Sequence, residues 1–365
     1  MKKVAFSALA LSLTTAAGSA SESEWSQLDK EVEALSMSLA QGGDGPTISG
    51  RIFAIYQNSD LDAQQVGGED LGGFSVADAR VKLEGEVGGY SYVLQQNFGS
   101  GFLADGGSGL LDAYIDIPIG ELSARVGQYR PPILMSGLTR GDRLVFMDRT
   151  ELGKLFSGRD TGVQLSGNFD ALSWWLTVMN GTGNGAGDEV MIAGRAAFDF
   201  LGGGSRDSAG SLGASDDPSG TVAVAYFNDR ETDGDGVAIE AVVATSVYSV
   251  SAEIAPLGGD NAGELYAPNT ALSATFGGTG NASLIEGDST PFSVAGTYML
   301  VPDQWELAAR FQGTDAAGDT DKIDVAITRY IQGHDLKYTA QFSNLDSDVD
   351  AIDGTYFMFG LNLTF

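Results

Sequence analysis

Cysteine is absent from this chain and histidine occurs once, at His334. Without thiols there is no disulfide framework, no thiolate nucleophile and no thiolate metal site. His334 lies in the turn sequence Gln332-Gly333-His334-Asp335. A lone imidazole in a turn reads as a solvated side chain, and triad hydrolysis would need a serine beside it that the context does not suggest. Cations are scarce as well: 20 lysines and arginines stand against 49 acids, a formal net charge of -29. Nucleic acid and anionic lipid are poor partners for such a chain, because both are bound through basic patches. Long apolar runs are also missing. Nothing approaches the ~18 continuous apolar residues of a transmembrane helix, so a membrane role requires a barrel or a peripheral attachment.

What is present begins with Lys2 and Lys3, followed by an apolar run from Val4 to Leu13 and small residues ending Gly18-Ser19-Ala20. This order predicts a secretory signal peptide over residues 1–20. Its removal takes both lysines and no acid, leaving a net charge of about -31. Residues 21–46 form a second region. Trp25, Leu28, Val32, Leu35 and Leu39 are spaced 3, 4, 3, 4, a heptad seam that predicts a short amphipathic or coiled-coil helix and linker. The seam suits a trimer contact; packing on a barrel rim is the alternative, since isolated helices this short are marginal.

From Thr47 the pattern changes to short alternating segments bounded by Gly, Asp, Asn or Pro. Strands are predicted at 47–57, 78–87, 90–98, 111–118, 121–130, 159–168, 171–180 and 189–200. They continue at 220–228, 236–245, 248–256, 291–300, 303–312, 322–330, 334–343 and 355–365. Tight connections such as Gly88-Gly89, Ile119-Gly120 and Ser246-Val247 alternate with long acidic, glycine-rich links such as 58–77, 99–110, 131–158 and 257–290. That alternation is how turns and loops are distributed in an outer-membrane barrel. The link 201–219 breaks the pattern, being long where a turn is due; it is an enlarged turn or a miscount.

The final strand sets Phe357, Phe359, Leu361, Leu363 and Phe365 on one face and Met358, Gly360, Asn362 and Thr364 on the other. Likewise Trp305, Leu307, Ala309 and Phe311 face out while Glu306, Ala308, Arg310 and Gln312 face in. In 78–87 the inward set is Arg80, Lys82, Glu84 and Glu86. Charges at this density cannot fill a dry core, which predicts a water-filled lumen and a barrel large enough to hold one. The expected fold is an all-β transmembrane antiparallel barrel of sixteen strands over 47–365, in the outer membrane of a Gram-negative cell, with a short N-terminal helix.

Residues 130–159 invert the charge of the chain. Arg130, Arg140, Arg143, Arg149, Lys154 and Arg159 face only Asp142, Asp148 and Glu151. Apolar anchors at Ile133, Leu134, Met135, Leu144, Val145, Phe146 and Met147 predict that this loop folds into the lumen. Guanidinium groups there would narrow the pore and attract anions. The competing reading pairs them with lumen acids such as Glu84, Asp112, Glu240 and Glu306, merely bracing the loop. The acids Asp346, Asp348, Asp350 and Asp353 carry Ala351 and Phe357 where an EF-hand loop needs glycine and glutamate, so they read as a solvated loop and not a metal site.

Three runs, Val126-Gly127-Gln128-Tyr129-Arg130-Pro131-Pro132, Phe146-Met147-Asp148-Arg149, and Arg159 with Gly162-Val163-Gln164-Leu165-Ser166-Gly167, resemble the phosphate-selective porin O and P family. Asn180-Gly181 and Trp305 to Phe311 resemble two further stretches of it. The resemblance implies a sixteen-stranded trimeric outer-membrane porin with an inward third loop. It places anion-binding arginines at Arg130, Arg149, Arg159 and Arg310. The acidic barrel and the lack of a lysine cluster in the loops depart from a phosphate-specific member. The expected function is therefore a passive channel for small hydrophilic solutes or ions, set in outer-membrane lipid, with no cofactor and no covalent chemistry. An anion or phosphate preference is one reading. A general or cation-preferring pore is another, and a structural or adhesive surface protein a third.

Overall fold

The computed structural model describes residues 45–61, 71–99, 109–181, 190–202, 209–230, 234–258, 288–314, 319–348 and 353–365. The predicted signal peptide, the heptad helix and Asp350 of the acidic run lie outside these residues.

Among the described residues seventeen strands form one antiparallel sheet that closes on itself. β1 (Thr47–Ser59) pairs with both β2 (Leu71–Val87) and β17 (Gly354–Thr364). At the seam Gly50 and Phe365 exchange backbone hydrogen bonds of 2.8 and 3.0 Å. Closure removes the edge, and with it the unpaired backbone groups that hydrocarbon would not tolerate. Between these come β3 (Tyr90–Asn97), β4 (Gly109–Ile119), β5 (Leu122–Tyr129), β6 (Asp160–Phe169), β7 (Leu172–Met179) and β8 (Met191–Leu201). β9 (Ser219–Asp229), β10 (Gly234–Ala244), β11 (Tyr248–Ile254), β12 (Leu257–Gly258), β13 (Phe292–Val301), β14 (Trp305–Thr314), β15 (Thr320–Gln332) and β16 (Leu336–Ser347) complete the circuit.

β11 and β12 are one stave, interrupted at Ala255-Pro256, and both pair with β10. Proline has no N–H to give the ladder, so the break falls where the sequence demands it. Sixteen staves result, and each of the sixteen predicted segments coincides with one. The largest boundary error is at β2, which starts at Leu71 instead of 78. Gly72-Gly73 read as loop, yet the backbone from Leu71 to Val76 pairs with β1 past a register shift at Phe53/Ala54.

The outer face is apolar: Phe357, Phe359, Leu361 and Leu363 on β17 are exposed, as are Trp305, Leu307 and Phe311 on β14. Their alternating partners are buried, among them Met358, Asn362, Glu306 and Arg310. An outward apolar face and an inward polar set follow from the two-residue period alone. Among the described residues no helix is long and apolar enough to cross a membrane.

Candidate functional site

The site is the lumen and the loop that enters it. β5 stops at Tyr129 because Pro131-Pro132 cannot continue a ladder. Residues 130–159 then turn inward through two short helices, α1 (Met135–Leu138) and α2 (Glu151–Leu155). The Thr150 side chain caps α2 by accepting from the Gly153 N–H at 2.8 Å.

Apolar anchors hold the loop. Ile133, Leu134, Leu152, Leu155 and Phe156 bury themselves with Met179, Met191 and Phe227 of the wall. Val145 and Phe146 pack on Ala308 and Ala326, and Met147 on Phe53, Ile55 and Met358. Backbone groups are matched to wall side chains. The Met147 N–H donates to Gln341 at 2.8 Å, the Glu151 N–H to Gln312 at 2.7 Å, and the Val145 carbonyl accepts from Thr328 at 2.9 Å.

Charge completes the docking. Asp148 accepts Arg310 at 2.8 Å and Lys322 at 3.0 Å, with Lys154 at 3.2 Å. Glu151 accepts Lys154 at 2.7 Å and Lys322 at 3.0 Å, and Asp324 receives Arg310 at 2.7 Å. Burial alone would raise Asp148, but Lys322, Lys154 and Arg310 outweigh it and hold its carboxyl well below the usual range. Glu151 is lowered against the same burial by Lys154 and Lys322. A buried charge left without a partner costs several kcal/mol, and here each has at least two. This half of the interior, β13 to β17, is a packed ionic cluster. The alternating charges of these strands call for counter-charges as readily as for water, and the loop supplies them.

The other half is open. A cavity of about 250 Å³ is lined by Arg51, Arg80, Lys82, Arg125, Arg130, Arg140 and Arg159. Among the described residues that line it, the carboxylates are Asp112 and Asp142. A second cavity, about 260 Å³, shares Arg125, Arg130 and Arg140 and adds Arg195 and Trp175. Several balancing carboxylates stand outside the lining. Asp78, fully buried, takes Arg51 at 2.5 Å and Arg80 at 2.6 Å, one anion between two cations. Asp116 receives a two-pronged contact from Arg125 at 2.7 and 2.9 Å, while that guanidinium lies 3.8 Å over the Tyr114 ring.

The residues marked by sequence therefore separate. Arg130, Arg140 and Arg159 line the open cavity; Arg159 also meets Asp112 at 3.1 Å. Arg130 donates to the Ser157 carbonyl at 3.1 Å, and Arg140 to Asp142 at 2.9 Å. Lys154 and Arg310 belong to the ionic cluster, and Arg149 is buried with its guanidinium on the Ser136 carbonyl at 2.6 Å. Arg143 lies 3.5 Å from Asp142. Of the lumen acids, Glu240 pairs with Arg195 and accepts the Met135 N–H at 2.6 Å. Glu306 is completely buried, accepting Tyr330 at 2.6 Å. Glu84 pairs with Lys82, and Glu86 sits exposed next to the Gly88-Gly89 turn. His334 is not solvated: it is 5 % exposed and edge-on to Tyr330 at 5.5 Å. Burial, with Lys337 and Arg143 nearby, pushes its imidazole down to about 3.

Sequence reasoning missed Arg51, Arg125 and Arg195 on the open side, and Lys322 and Asp324 in the cluster. Each occupies an inward position of a correctly predicted strand, so two-residue parity applied to every strand would have found them.

No family model matches the chain, and no curated protein matches it. Solved structures do. The outer membrane channel DcaP of Acinetobacter baumannii is similar at 13% identity, covering 88% of this chain and 97% of that one, with a TM-score of 0.58. A mutant of Rh. blastica porin matches at 12% identity, 88% and 100% coverage and TM-score 0.52. A BenF-like porin from Pseudomonas fluorescens Pf-5 matches at 10% identity, 88% and 98% coverage and TM-score 0.50. The protein has the sixteen-stave closed barrel of the outer-membrane porins.

Proposed function

We propose that the protein is a passive, water-filled channel of the outer membrane that prefers small hydrophilic anions. The supporting observation is the lining of the open cavity, where seven cationic side chains and two carboxylates face the void, while Asp78, Glu84 and Asp116 pair with Arg51, Arg80, Lys82 and Arg125 from outside that lining and leave cations in excess. Fixed cations in a narrow, low-dielectric passage raise the local anion concentration, and a guanidinium can grip an oxyanion with two hydrogen bonds. The inward loop narrows the passage and sets a size limit. Export through residues 1–20, trimeric assembly and kinship with the phosphate-selective porin O and P family belong to this reading.

A narrow specificity for phosphate has less support. Of the four arginines singled out by the resemblance, Arg130 and Arg159 line the open cavity, while Arg149 and Arg310 serve the docked loop. A broad anion preference fits better. A cation-preferring pore draws its support from the net charge of -29. Planar-bilayer recording under a KCl gradient distinguishes them by sign: an anion-selective reversal potential supports the proposal and a cation-selective one defeats it. A reconstituted protein without conductance would favour the adhesive reading.

A further inference from the structure

The β8–β9 link, out of pattern in the sequence, runs from 202 to 218 at the end of the barrel where the other connections are tight. Its described part enters the lumen. The Ala209 N–H donates to the Arg143 carbonyl, on the inward loop, at 3.1 Å. The Ser211 N–H donates to Glu306 at 2.6 Å, and the Ser211 hydroxyl is 3.1 Å from that of Thr297. Leu212 is buried with Met299 and Tyr330. Thr297, Met299, Glu306 and Tyr330 are inward positions of β13, β14 and β15, so this segment occupies interior volume.

Two further observations show a built contact. Ser211 and Glu306 are both 0 % exposed. Gly210 has φ +87°, a conformation that other residues rarely adopt, and a Cβ there would lie 2.7 Å from a Glu306 carboxylate oxygen, so a side chain would be strained and would have to displace that carboxylate. Beside it, a cavity of about 120 Å³ lies between the inward loop and the wall. Ala209 and Gly210 line it together with Glu240, Glu253 and Ser249.

We propose that residues 209–212 are a second constricting insert. It enters from the turn end, meets the inward loop inside the barrel and blocks the β10–β15 side of the lumen. Solute is thereby confined to the arginine-lined side. The segment would set conductance and ion preference without touching the solute. The inference rests on the channel reading above.

The test uses the full-length protein in planar bilayers, with Gly210→Val to prevent docking and Leu212→Ala as a milder disruption. Undocking opens the cavity holding Glu240 and Glu253. Conductance should then rise roughly 1.5-fold or more in Gly210→Val and less in Leu212→Ala, with a weaker anion preference. Docking is read separately. Ser211→Cys, the sole thiol in a cysteine-free chain, should resist a charged methanethiosulfonate reagent, and adding Gly210→Val should expose it. Wild-type conductance in Gly210→Val despite thiol exposure would overturn the proposal. So would a thiol that reacts without Gly210→Val, or one that stays protected with it. A wild-type barrel that does not conduct would instead remove the channel reading, and the labelling result would still stand on its own.

Discussion

The two sides of the lumen use the same residue types to opposite ends. On the β13–β17 side Arg310 and Lys322 are almost fully buried, each between two or more carboxylates, and their charge is spent on holding the inward loop. On the β1–β8 side Arg125 and Arg140 keep 28 % and 55 % of their side chains exposed, and line open space. Side-chain identity does not decide whether an arginine is structural or available to solute. The number of carboxylates within reach and the presence of a void decide it.

The largest effect is expected from Arg310→Ala. It leaves Asp148 and Asp324 buried with fewer counter-charges, and breaking a buried pair in this way costs about 3–5 kcal/mol. Thermal unfolding in detergent should show the loss, and conductance should rise as the loop loosens. An unchanged melting temperature would mean that the cluster does not anchor the loop.

Acid sharpens the same contrast. Asp148 and Glu151 titrate below the ordinary values of 3.8 and 4.5, so their contribution is fully present above pH ~4.5 and is lost as pH falls below that range. The loop should stay docked at pH 5 and release only in stronger acid, and Asp148→Asn should shrink this acid limb to the share that Glu151 contributes. His334 acts in a different window. Its imidazole is held neutral down to about 3 against an ordinary 6.5, so the unfolded chain takes up a proton first. Stability should therefore fall as pH drops from 6.5 toward 3, by at most about 1.4 kcal/mol per pH unit. His334→Gln should flatten that slope in melting curves, and a slope unaffected by the change would contradict the burial. The smallest effect is expected from Arg140→Gln. This exposed member of an ion pair with Asp142 should change stability by less than about 1 kcal/mol, while still shifting the reversal potential.

The barrel was legible because an inward polar face and an outward apolar face impose a two-residue rhythm on the strands, and turn residues such as Gly88-Gly89 and Pro131-Pro132 mark many of their ends. The inward fold of 130–159 was legible for a similar reason: Ile133, Leu134, Val145 and Phe146 are too apolar for a solvated loop. The division of the arginines was not. Arg149 and Arg130 look alike in sequence, and only the folded path of the loop sets one on the Ser136 carbonyl and the other on the open cavity. Asp78, which serves Arg51 and Arg80 together, sits where β2 was read as beginning, so a pair bridging β1 and β2 could not be seen. The link after β8 was visible only as an excess of length. Its docking depends on Glu306 and Tyr330, roughly a hundred residues away along the chain.

On this reading ion preference is set by the arginines that line the open cavity, Arg125 and Arg140 among them, and not by Arg143 and Arg149, which do not line it. The direct test is the reversal potential under a KCl gradient for wild type, for Arg125→Gln with Arg140→Gln, and for Arg143→Gln with Arg149→Gln. The account predicts an anion-selective wild type, a potential near zero in the first pair and little change in the second. A cation-selective wild type, or an equal loss in both pairs, would contradict it.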